Sequence, residues 1–185
     1  MPKRAKTSTS HSRIRAILVL IVGVACLTTF VGYKIHRANR LSFSQNPATK
    51  QTANLAQVPE SIEIIPLSIK LSVAPARVEG NTWEISEKGA SYLSSSAPLK
   101  NNGNTVIYAH NKSSLFGPLA EIKIGHPITL KSRDGKIYSY SVYKIDTVTP
   151  DKVDVITSQG REELTLYTCT GFTDTKRLVV KAKPI

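Results

Sequence analysis

Two side chains that could carry out covalent chemistry lie close together near the end of the sequence, in the stretch TLYTCTGFTDTKRLVV. Cys169 ends one β-rich run, and Arg177 begins the next. A cysteine in such a place can be a small buried hydrophobe, half of a disulfide, a metal ligand or a nucleophile. The rest of the sequence discriminates among these four roles.

The chain has one other cysteine, Cys26, which lies within the uncharged run AILVLIVGVACLTTFVGY at residues 16–33. Because this run approaches the length that a helix needs to cross a bilayer, residues 16–33 are predicted to be a transmembrane helix. Cys169 would then lie outside the membrane, out of reach of Cys26, which disfavours a disulfide. No second cysteine and no zinc-type histidine spacing accompanies Cys169, so we predict neither a metal site nor a cofactor.

Basic residues flank the predicted transmembrane helix on both sides. They are Lys3, Arg4, Lys6, Arg13 and Arg15 before it, and Lys34, Arg37 and Arg40 after it. The positive-inside rule favours residues 1–15 in the cytoplasm, which predicts a single-pass protein of the cell membrane with its domain outside. A cleaved signal peptide is the competing interpretation. The apolar run is longer than a usual signal core, however, and a basic flank replaces the small-residue cleavage site.

The formal net charge of +12 belongs mostly to the N-terminal third of the chain. Residues 1–59 contain nine Lys or Arg and no acidic residue, whereas residues 60–185 contain sixteen basic and thirteen acidic residues. Because the second part has no basic patch interleaved with aromatic residues, nucleic acid is not an expected partner. Residues 34–57 are polar and aperiodic, which predicts a linker, and residues 58–185 form the predicted domain.

Most of the domain has the residue pattern of β-strands. The β-rich runs are SIEIIPLSIKLSV, TVIYAH, HPITLKSRDGKIYSYSVYKIDTV, ELTLYTC and RLVVKAK. A hairpin turn is predicted at residues 133–135, and modest helix patterns occur at residues 87–95 and 114–122. About seven or eight short strands with one or two short helices predict a mostly β fold, a closed or nearly closed β-barrel.

Strand alternation relates Cys169 to Arg177. The two leucines of ELTLYTC share one face, so Cys169 points to the opposite face. Leu178 and Val180 likewise share a face, which leaves Arg177 on the other. If the leucine-bearing faces point to the core and the two strands form a hairpin, Cys169 and Arg177 project together away from the core. This placement is not that of a buried structural cysteine.

A cysteine nucleophile acts as its thiolate, so it needs a base or cation nearby and partial exposure. His11 and His36 flank the membrane helix, and His126 in the segment IGHP is expected to be an exposed turn residue. His110 ends the run TVIYAH, where a strand leaves the barrel and functional side chains are common. His110 is therefore the best candidate for the base, with a structural or merely exposed role as the alternative.

Together these residues resemble the sortases, the membrane-anchored cysteine transpeptidases of bacterial surfaces. The family motif TLxTC is matched by Thr165, Leu166, Thr168 and Cys169. RLVV resembles the Arg-bearing last strand of the family, and YAHN resembles its histidine segment. The stretch LFGPLAEIKIGHPITLKSRDGKIYSYSV is also similar, except that His126 stands where an acidic residue is frequent. The resemblance extends over residues 64–185 and includes the N-terminal anchor.

The resemblance implies a sortase-like barrel and a transpeptidation through a thioacyl intermediate. Cys169 would attack the Thr carbonyl of an LPxTG-like sorting signal, which is thereby cleaved after Thr. His110 would act as general acid and then as general base, and Arg177 would stabilise the substrate carbonyl or the oxyanion. Thr168 would help to bind the substrate. The implied partners are surface proteins that bear such a signal and an amine acceptor, either a peptidoglycan precursor or a pilin lysine.

Other interpretations of the sequence stay open. If Cys169 is an inert thiol and Arg177 a solvated strand charge, the chain is a non-catalytic, membrane-tethered β-barrel for binding or assembly. An L,D-transpeptidase is disfavoured because the chain has no SHGC-like segment. The lack of a second apolar run and of an Asp-Pro-aromatic segment disfavours the pilus-polymerising class of sortases without excluding it. The sequence has no clear acidic cluster that would predict calcium dependence.

Overall fold

The computed structural model describes residues 9–39, 55–79 and 82–185, and the chain divides into two compact units, residues 1–38 and 39–185. Residues 1–8 of the predicted cytoplasmic segment and residues 40–54 of the predicted linker lie outside the described part. The first unit contains the helix α1 (Thr9–Asn39). Its segment Ile14–Gly32 has a mean hydropathy of 2.5 and is exposed throughout, so it is a candidate membrane anchor.

The second unit is built from β-strands. In chain order they are β1 (Pro59–Ile64), β2 (Ile69–Ala76), β3 (Val78–Glu79), β4 (Thr82–Trp83), β5 (Ala90–Leu93), β6 (Asn104–Tyr108), β7 (Pro127–Ser132), β8 (Ile137–Val148), β9 (Glu163–Thr170) and β10 (Lys176–Pro184). Eight of them close into a barrel in the order β1-β2-β5-β6-β9-β10-β8-β7, while β3 and β4 form a separate two-stranded sheet. The predicted closed β-barrel is therefore confirmed.

The two segments with helical patterns have different outcomes. Residues 114–122 contain a 3-10 helix, Gly117–Glu121, which is shorter than predicted. Residues 87–95 contain strand β5 instead, so the helix prediction there is wrong. All four residues of β5 are buried, and β5 lies between β2 and β6. A strand buried on both faces lacks the polar alternation by which a strand differs from a short helix in sequence.

A further 3-10 turn, Leu55–Gln57, precedes β1, and three others join consecutive strands. They are Ile65–Leu67, Val153–Ile156 and Phe172–Asp174. The predicted hairpin turn at residues 133–135 lies between β7 and β8, which pair as antiparallel neighbours, so this prediction is confirmed. Gly135 takes the left-handed conformation there, with φ of 82°.

The barrel interior is apolar, as strand alternation predicts. Leu164, Leu166, Leu178 and Val180 all belong to one buried cluster, to which every strand of the barrel contributes. The predicted inward faces of β9 and β10 are therefore confirmed. Burial of these branched side chains is the main favourable term in the stability of such a barrel.

A second buried cluster, called here the outer cluster, lies against the other face of β6, β9 and β10. Its members are Ala76, Trp83, Leu93, Val106, Tyr108, Ile156, Tyr167, Cys169 and Val179. Trp83 comes from β4, and Ile156 comes from the 3-10 turn Val153–Ile156. These two segments cover strand faces that would otherwise be exposed to solvent.

Candidate active site

Three adjacent strands bring the predicted site residues to one end of the barrel. Strand β9 lies between β6 and β10, and Cys169 on β9 is directly opposite Arg177 on β10. Strand β6 runs parallel to β9 with Tyr108 opposite Tyr167. His110 follows Tyr108 by two residues, as Cys169 follows Tyr167, so the same register places His110 level with Cys169. The thiol position is therefore flanked by the histidine on one side and the arginine on the other.

Burial of this region differs from the sequence-based expectation. Cys169, His110 and Arg177 retain only 4%, 7% and 2% of their accessible surface. The partly exposed thiol predicted from strand alternation is therefore wrong, although the predicted direction of the side chain, away from the barrel interior, is confirmed. The difference arises because the outer cluster covers this face. A solvated Arg177, one of the alternatives, is also excluded.

His110 is held at the end of β6 by hydrogen bonds to the backbone around it. Its carbonyl oxygen accepts hydrogen bonds from the amides of Lys112, at 2.9 Å, and Phe116, at 3.2 Å. The hydroxyl of Thr168 donates to the carbonyl of Ala109 at 2.8 Å, which ties the histidine segment to β9. The side chain of Thr168 is buried and serves this structural bond, while its contact with substrate stays a prediction.

The imidazole of His110 faces an acidic residue that the sequence analysis did not identify. Nε2 of His110 lies 3.3 Å from Oε1 of Glu87, and Oε2 of Glu87 accepts a hydrogen bond of 2.6 Å from the ammonium of Lys112. The Lys112 hydrogen bond lowers the pKa of the Glu87 carboxyl, and the proximity of His110 lowers it further. Glu87 is therefore ionised at neutral pH, beside a histidine that could accept a proton.

Arg177 is fixed by the loop between β9 and β10. Its Nη1 donates hydrogen bonds to the carbonyl oxygens of Asp174, at 3.1 Å, and Lys176, at 3.0 Å. Burial lowers the pKa of the guanidinium, while the neighbouring Cys169 thiol acts to raise it. Because arginine remains protonated at any physiological pH, the site holds one permanent positive charge close to the sulfur.

The loop that holds Arg177 contains two left-handed residues. Gly171 has φ of 79° and Asp174 has φ of 61°. The threonine that follows, Thr175, donates a side-chain hydrogen bond of 3.0 Å to the carbonyl of Phe172, whose own side chain is 90% exposed. The loop therefore presents an apolar ring to solvent beside the site.

Three aromatic rings support the site from the outer face. Trp83 packs edge-on against Tyr108 and Tyr167, at centroid distances of 5.4 and 6.1 Å, and the two tyrosine rings stack at 5.1 Å. Burial raises the pKa of Tyr167 well above its usual value, so its hydroxyl is neutral beside Cys169 and Arg177. The rings make the surroundings of the thiol rigid and apolar.

Chemically, this arrangement suits a thiol nucleophile. A thiolate needs a cation or a base close by, and the adjacent strands supply a guanidinium on one side and an imidazole on the other. In a setting with little water, the positive charge interacts more strongly with negative charge that develops at the sulfur or on a substrate oxygen. His126 has a different environment, in the turn before β7, where its Nδ1 accepts a hydrogen bond from the amide of Lys123 at 3.3 Å.

Comparison with known proteins places this fold in one family. The family model described as the sortase domain matches residues 62–185. A sortase A from Bacillus anthracis is 32% identical over 163 residues, which cover 80% of this chain and 72% of that protein.

Solved structures agree with the family match. A sortase C from Streptococcus pneumoniae is 30% identical with a TM-score of 0.59, over 70% of this chain and 69% of that one. A sortase C from Clostridium perfringens, solved with the C-terminal cell wall sorting motif, is 26% identical with a TM-score of 0.59, over 70% of this chain and 71% of that one. Since the family model covers more than half of the sequence, the chain belongs to the sortases, the cysteine transpeptidases of bacterial cell surfaces.

Proposed function

We propose that this chain cleaves an LPxTG-like sorting signal after Thr through a thioacyl intermediate on Cys169, and that it transfers the new carboxyl end to an amine acceptor. The observation that supports the proposal is that Cys169 on β9 is directly opposite Arg177 on β10, while His110 follows the end of β6, the other neighbour of β9. Membership of the sortase family supports the reaction class.

In the first half of the reaction, the sulfur of Cys169 attacks the Thr carbonyl carbon and forms the new C–S bond. The C–N bond to the following Gly breaks as the tetrahedral intermediate collapses. The thiol proton passes to His110, which then donates it to the departing amine as general acid. The released fragment leaves with a neutral amine, and the signal remains attached to the enzyme as a thioester.

In the second half, the acceptor amine attacks the thioester carbonyl. His110, now neutral, takes the proton that the attacking nitrogen loses. The C–S bond breaks, the sulfur leaves, and the proton returns to it, so the resting site is restored. Splitting the transfer into two steps lets one cysteine exchange one amide for another without net hydrolysis.

Arg177 is proposed to stabilise the negative charge that develops on the carbonyl oxygen in both tetrahedral intermediates. Its Nη1 is bound to two loop carbonyls, which fixes the guanidinium before substrate arrives. A preorganised charge in a buried site costs little reorganisation during the reaction, and loss of one such donor slows acyl transfer by about 100- to 1000-fold.

The relatives and α1 support a proposal for the substrate and the location. The C. perfringens enzyme was solved with a cell wall sorting motif, and the S. pneumoniae structure is described as informative on pilin substrate specificity. We infer a surface protein as the donor, and a peptidoglycan precursor or a pilin lysine as the acceptor. The candidate anchor Ile14–Gly32 would hold the barrel on the outer side of the membrane, with the N-terminus in the cytoplasm.

The test uses the full-length chain in detergent micelles, incubated with a panel of LPxTG-type peptides and with amine acceptors, and measures the transpeptidation product by mass spectrometry. We expect product from wild type and none from Cys169→Ala. His110→Ala and Arg177→Met should each lower kcat/KM by about 100-fold or more. Lys183→Met, which removes an exposed charge from the same strand as Arg177, is the matched control and should leave kcat/KM unchanged.

A wild-type chain that gives no Cys169-dependent product with any peptide and acceptor would contradict the proposal. If that chain still bound the peptides, the non-catalytic binding module would become the better account.

A further inference from the structure

Glu87 links two parts of the molecule at the candidate site. It lies in the connection between β4 and β5, whereas His110 and Lys112 follow β6. One carboxylate oxygen is 3.3 Å from Nε2 of His110, and the other accepts the hydrogen bond from Lys112. The side chain of Glu87 is 69% exposed and that of His110 only 9%. The carboxylate therefore contacts the buried imidazole from the solvent side.

We propose that Glu87 is a positioning residue that holds the ring of His110 in the orientation and tautomer needed for proton transfer. This inference rests on the proposed function, since it concerns the general acid and base of that reaction. A neutral imidazole has one N–H donor and one acceptor nitrogen, and the partner of one nitrogen fixes the state of the other. Nε2 is the nitrogen that lies 3.3 Å from Oε1 of Glu87. We infer that Glu87 favours the proton on Nε2, so that Nδ1 is the nitrogen that accepts and returns the proton.

Lys112 is the second partner of Glu87, and its charge has the opposite effect on the protonation of His110. A carboxylate next to an imidazole favours the protonated ring, while a neighbouring ammonium disfavours it and competes for the same carboxylate. Removing Glu87 and removing Lys112 should therefore move the protonation of His110 in opposite directions. Because the removal of charge alone produces these opposite signs, the tautomer of the neutral ring is the readout that is specific to positioning.

Other ionisable groups near His110 could also affect its protonation. These groups are Cys169 and Tyr167 on β9, Arg177 on β10, and Asp174 in the loop between the two strands. Arg177 stays charged and Tyr167 stays neutral across the pH range of interest. Cys169 is the remaining ionisable group beside His110, and a charge on its sulfur would act on the imidazole. Replacing Cys169 by Ala leaves His110 to titrate without that partner.

The experiment measures the protonation and tautomer of His110 by NMR in the full-length Cys169→Ala chain in micelles, with the signal assigned by its loss in His110→Ala. We expect the neutral ring to carry its proton on Nε2. Glu87→Gln should lower the titration midpoint by about 0.5 pH unit, as expected for a partly exposed pair, and Lys112→Met should raise it. In Glu87→Gln the neutral ring should become a mixture of tautomers.

A matched ion pair elsewhere on the barrel supplies the controls. Glu63 and Lys70, on β1 and β2, are separated by 3.5 Å and are both exposed at the surface. Glu63→Gln and Lys70→Met remove the same charges and should leave the midpoint and tautomer of His110 unchanged. In the Cys169-containing chain, Glu87→Gln should also shift the pH profile of kcat/KM and lower its maximum about threefold, and Glu87→Asp should recover part of the loss.

The outcomes separate this inference from the proposed function. If Glu87→Gln leaves both the midpoint and the tautomer of His110 as in wild type, the positioning role is wrong, even in a fully active enzyme. If the midpoint and tautomer change as expected while wild type gives no transpeptidation product, Glu87 still positions His110 and the proposed reaction is what fails.

Discussion

The two faces of the β9–β10 hairpin are both buried, yet they differ in composition. The inner face contributes mainly apolar side chains such as Leu166 and Val180 to the barrel core. The outer face has apolar residues in its middle, Tyr167 and Val179, with ionisable groups at its ends. One end carries Cys169 and Arg177, and the other carries Glu163 and Lys181. The inner face is therefore mainly apolar, while the outer face combines packing with buried charge.

At the end of the outer face that carries Glu163 and Lys181, the buried charges are hydrogen-bonded to neighbouring side chains. The ammonium of Lys181 donates a hydrogen bond to Glu163, and the hydroxyl of Tyr143 donates another to the same carboxylate. Arg161 lies 3.6 Å away from it. Burial raises the pKa of the Glu163 carboxyl, but the hydrogen bonds from Lys181 and Tyr143 outweigh this effect and hold the pKa below its usual value of 4.5.

The buried charges of Glu163 and Lys181, for which we propose only a structural role, are paired with each other. Glu163 interacts with the side chains of Lys181, Tyr143 and Arg161, whereas Nη1 of Arg177 donates hydrogen bonds to two backbone carbonyls of the adjoining loop. Because hydrogen bonds to neutral carbonyls leave the guanidinium charged, Arg177 can interact with the negative charge that develops in the transition state proposed above.

The largest effect on stability is expected from the structural end of the outer face. Glu163→Gln leaves Lys181 buried without its counter-charge and should lower the free energy of unfolding at pH 7 by about 3–5 kcal/mol. The folded-state pKa of Glu163 lies below the unfolded value, so the wild-type advantage is present above about pH 4.5 and fades as the pH falls through the folded value. Urea unfolding followed through Trp83, the only tryptophan, measures both.

If Glu163→Gln and wild type were equally stable at pH 7, the claim that the Glu163–Lys181 pair stabilises the fold would be wrong. A deficit that grew as the pH was lowered towards 3 would contradict the assigned direction of the pKa shift.

A somewhat smaller effect is expected from the inner face. Leu166 is fully buried, so Leu166→Ala should lower the free energy of unfolding by about 2–4 kcal/mol through lost burial and the resulting cavity. The rate at which a thiol reagent modifies Cys169 should stay close to the wild-type rate under conditions in which the variant is folded, because the two side chains lie on opposite faces of β9. A Cys26→Ala background removes the other thiol.

A large change in the Cys169 modification rate in folded Leu166→Ala would show that the inner face also controls the site. The claim that packing on the inner face is independent of the site on the outer face would then be wrong.

Much of this architecture could be predicted from the sequence because it follows from local patterns. Alternation in ELTLYTC and RLVVKAK is enough to assign the inner residues and to direct Cys169 and Arg177 to the other side. The closed barrel follows from the number and length of the β-rich runs. The family motif links Cys169 to His110 across a separation at which no local pattern relates two residues.

The remaining features depend on contacts between distant segments. Trp83 lies far from Cys169 in sequence, so no local pattern shows that both belong to the outer cluster. Glu87 contacts His110 only because β5 and β6 are neighbours, and its own segment has a helical pattern. Tyr143 reaches Glu163 from an irregularity in the β8–β10 pairing, where strict alternation no longer assigns side chains to faces.

The central claim is that Cys169 forms a covalent bond with the substrate carbonyl. The most direct measurement is the intact mass of the full-length Cys26→Ala chain after reaction with an LPxTG-type peptide and no amine acceptor, with the adduct mapped by digestion. We predict an increase equal to the peptide acyl group ending in Thr, located on Cys169, released by hydroxylamine and absent from Cys169→Ala. A chain that cleaves the peptide with no acyl group on Cys169, or with the adduct on another residue, would contradict the account.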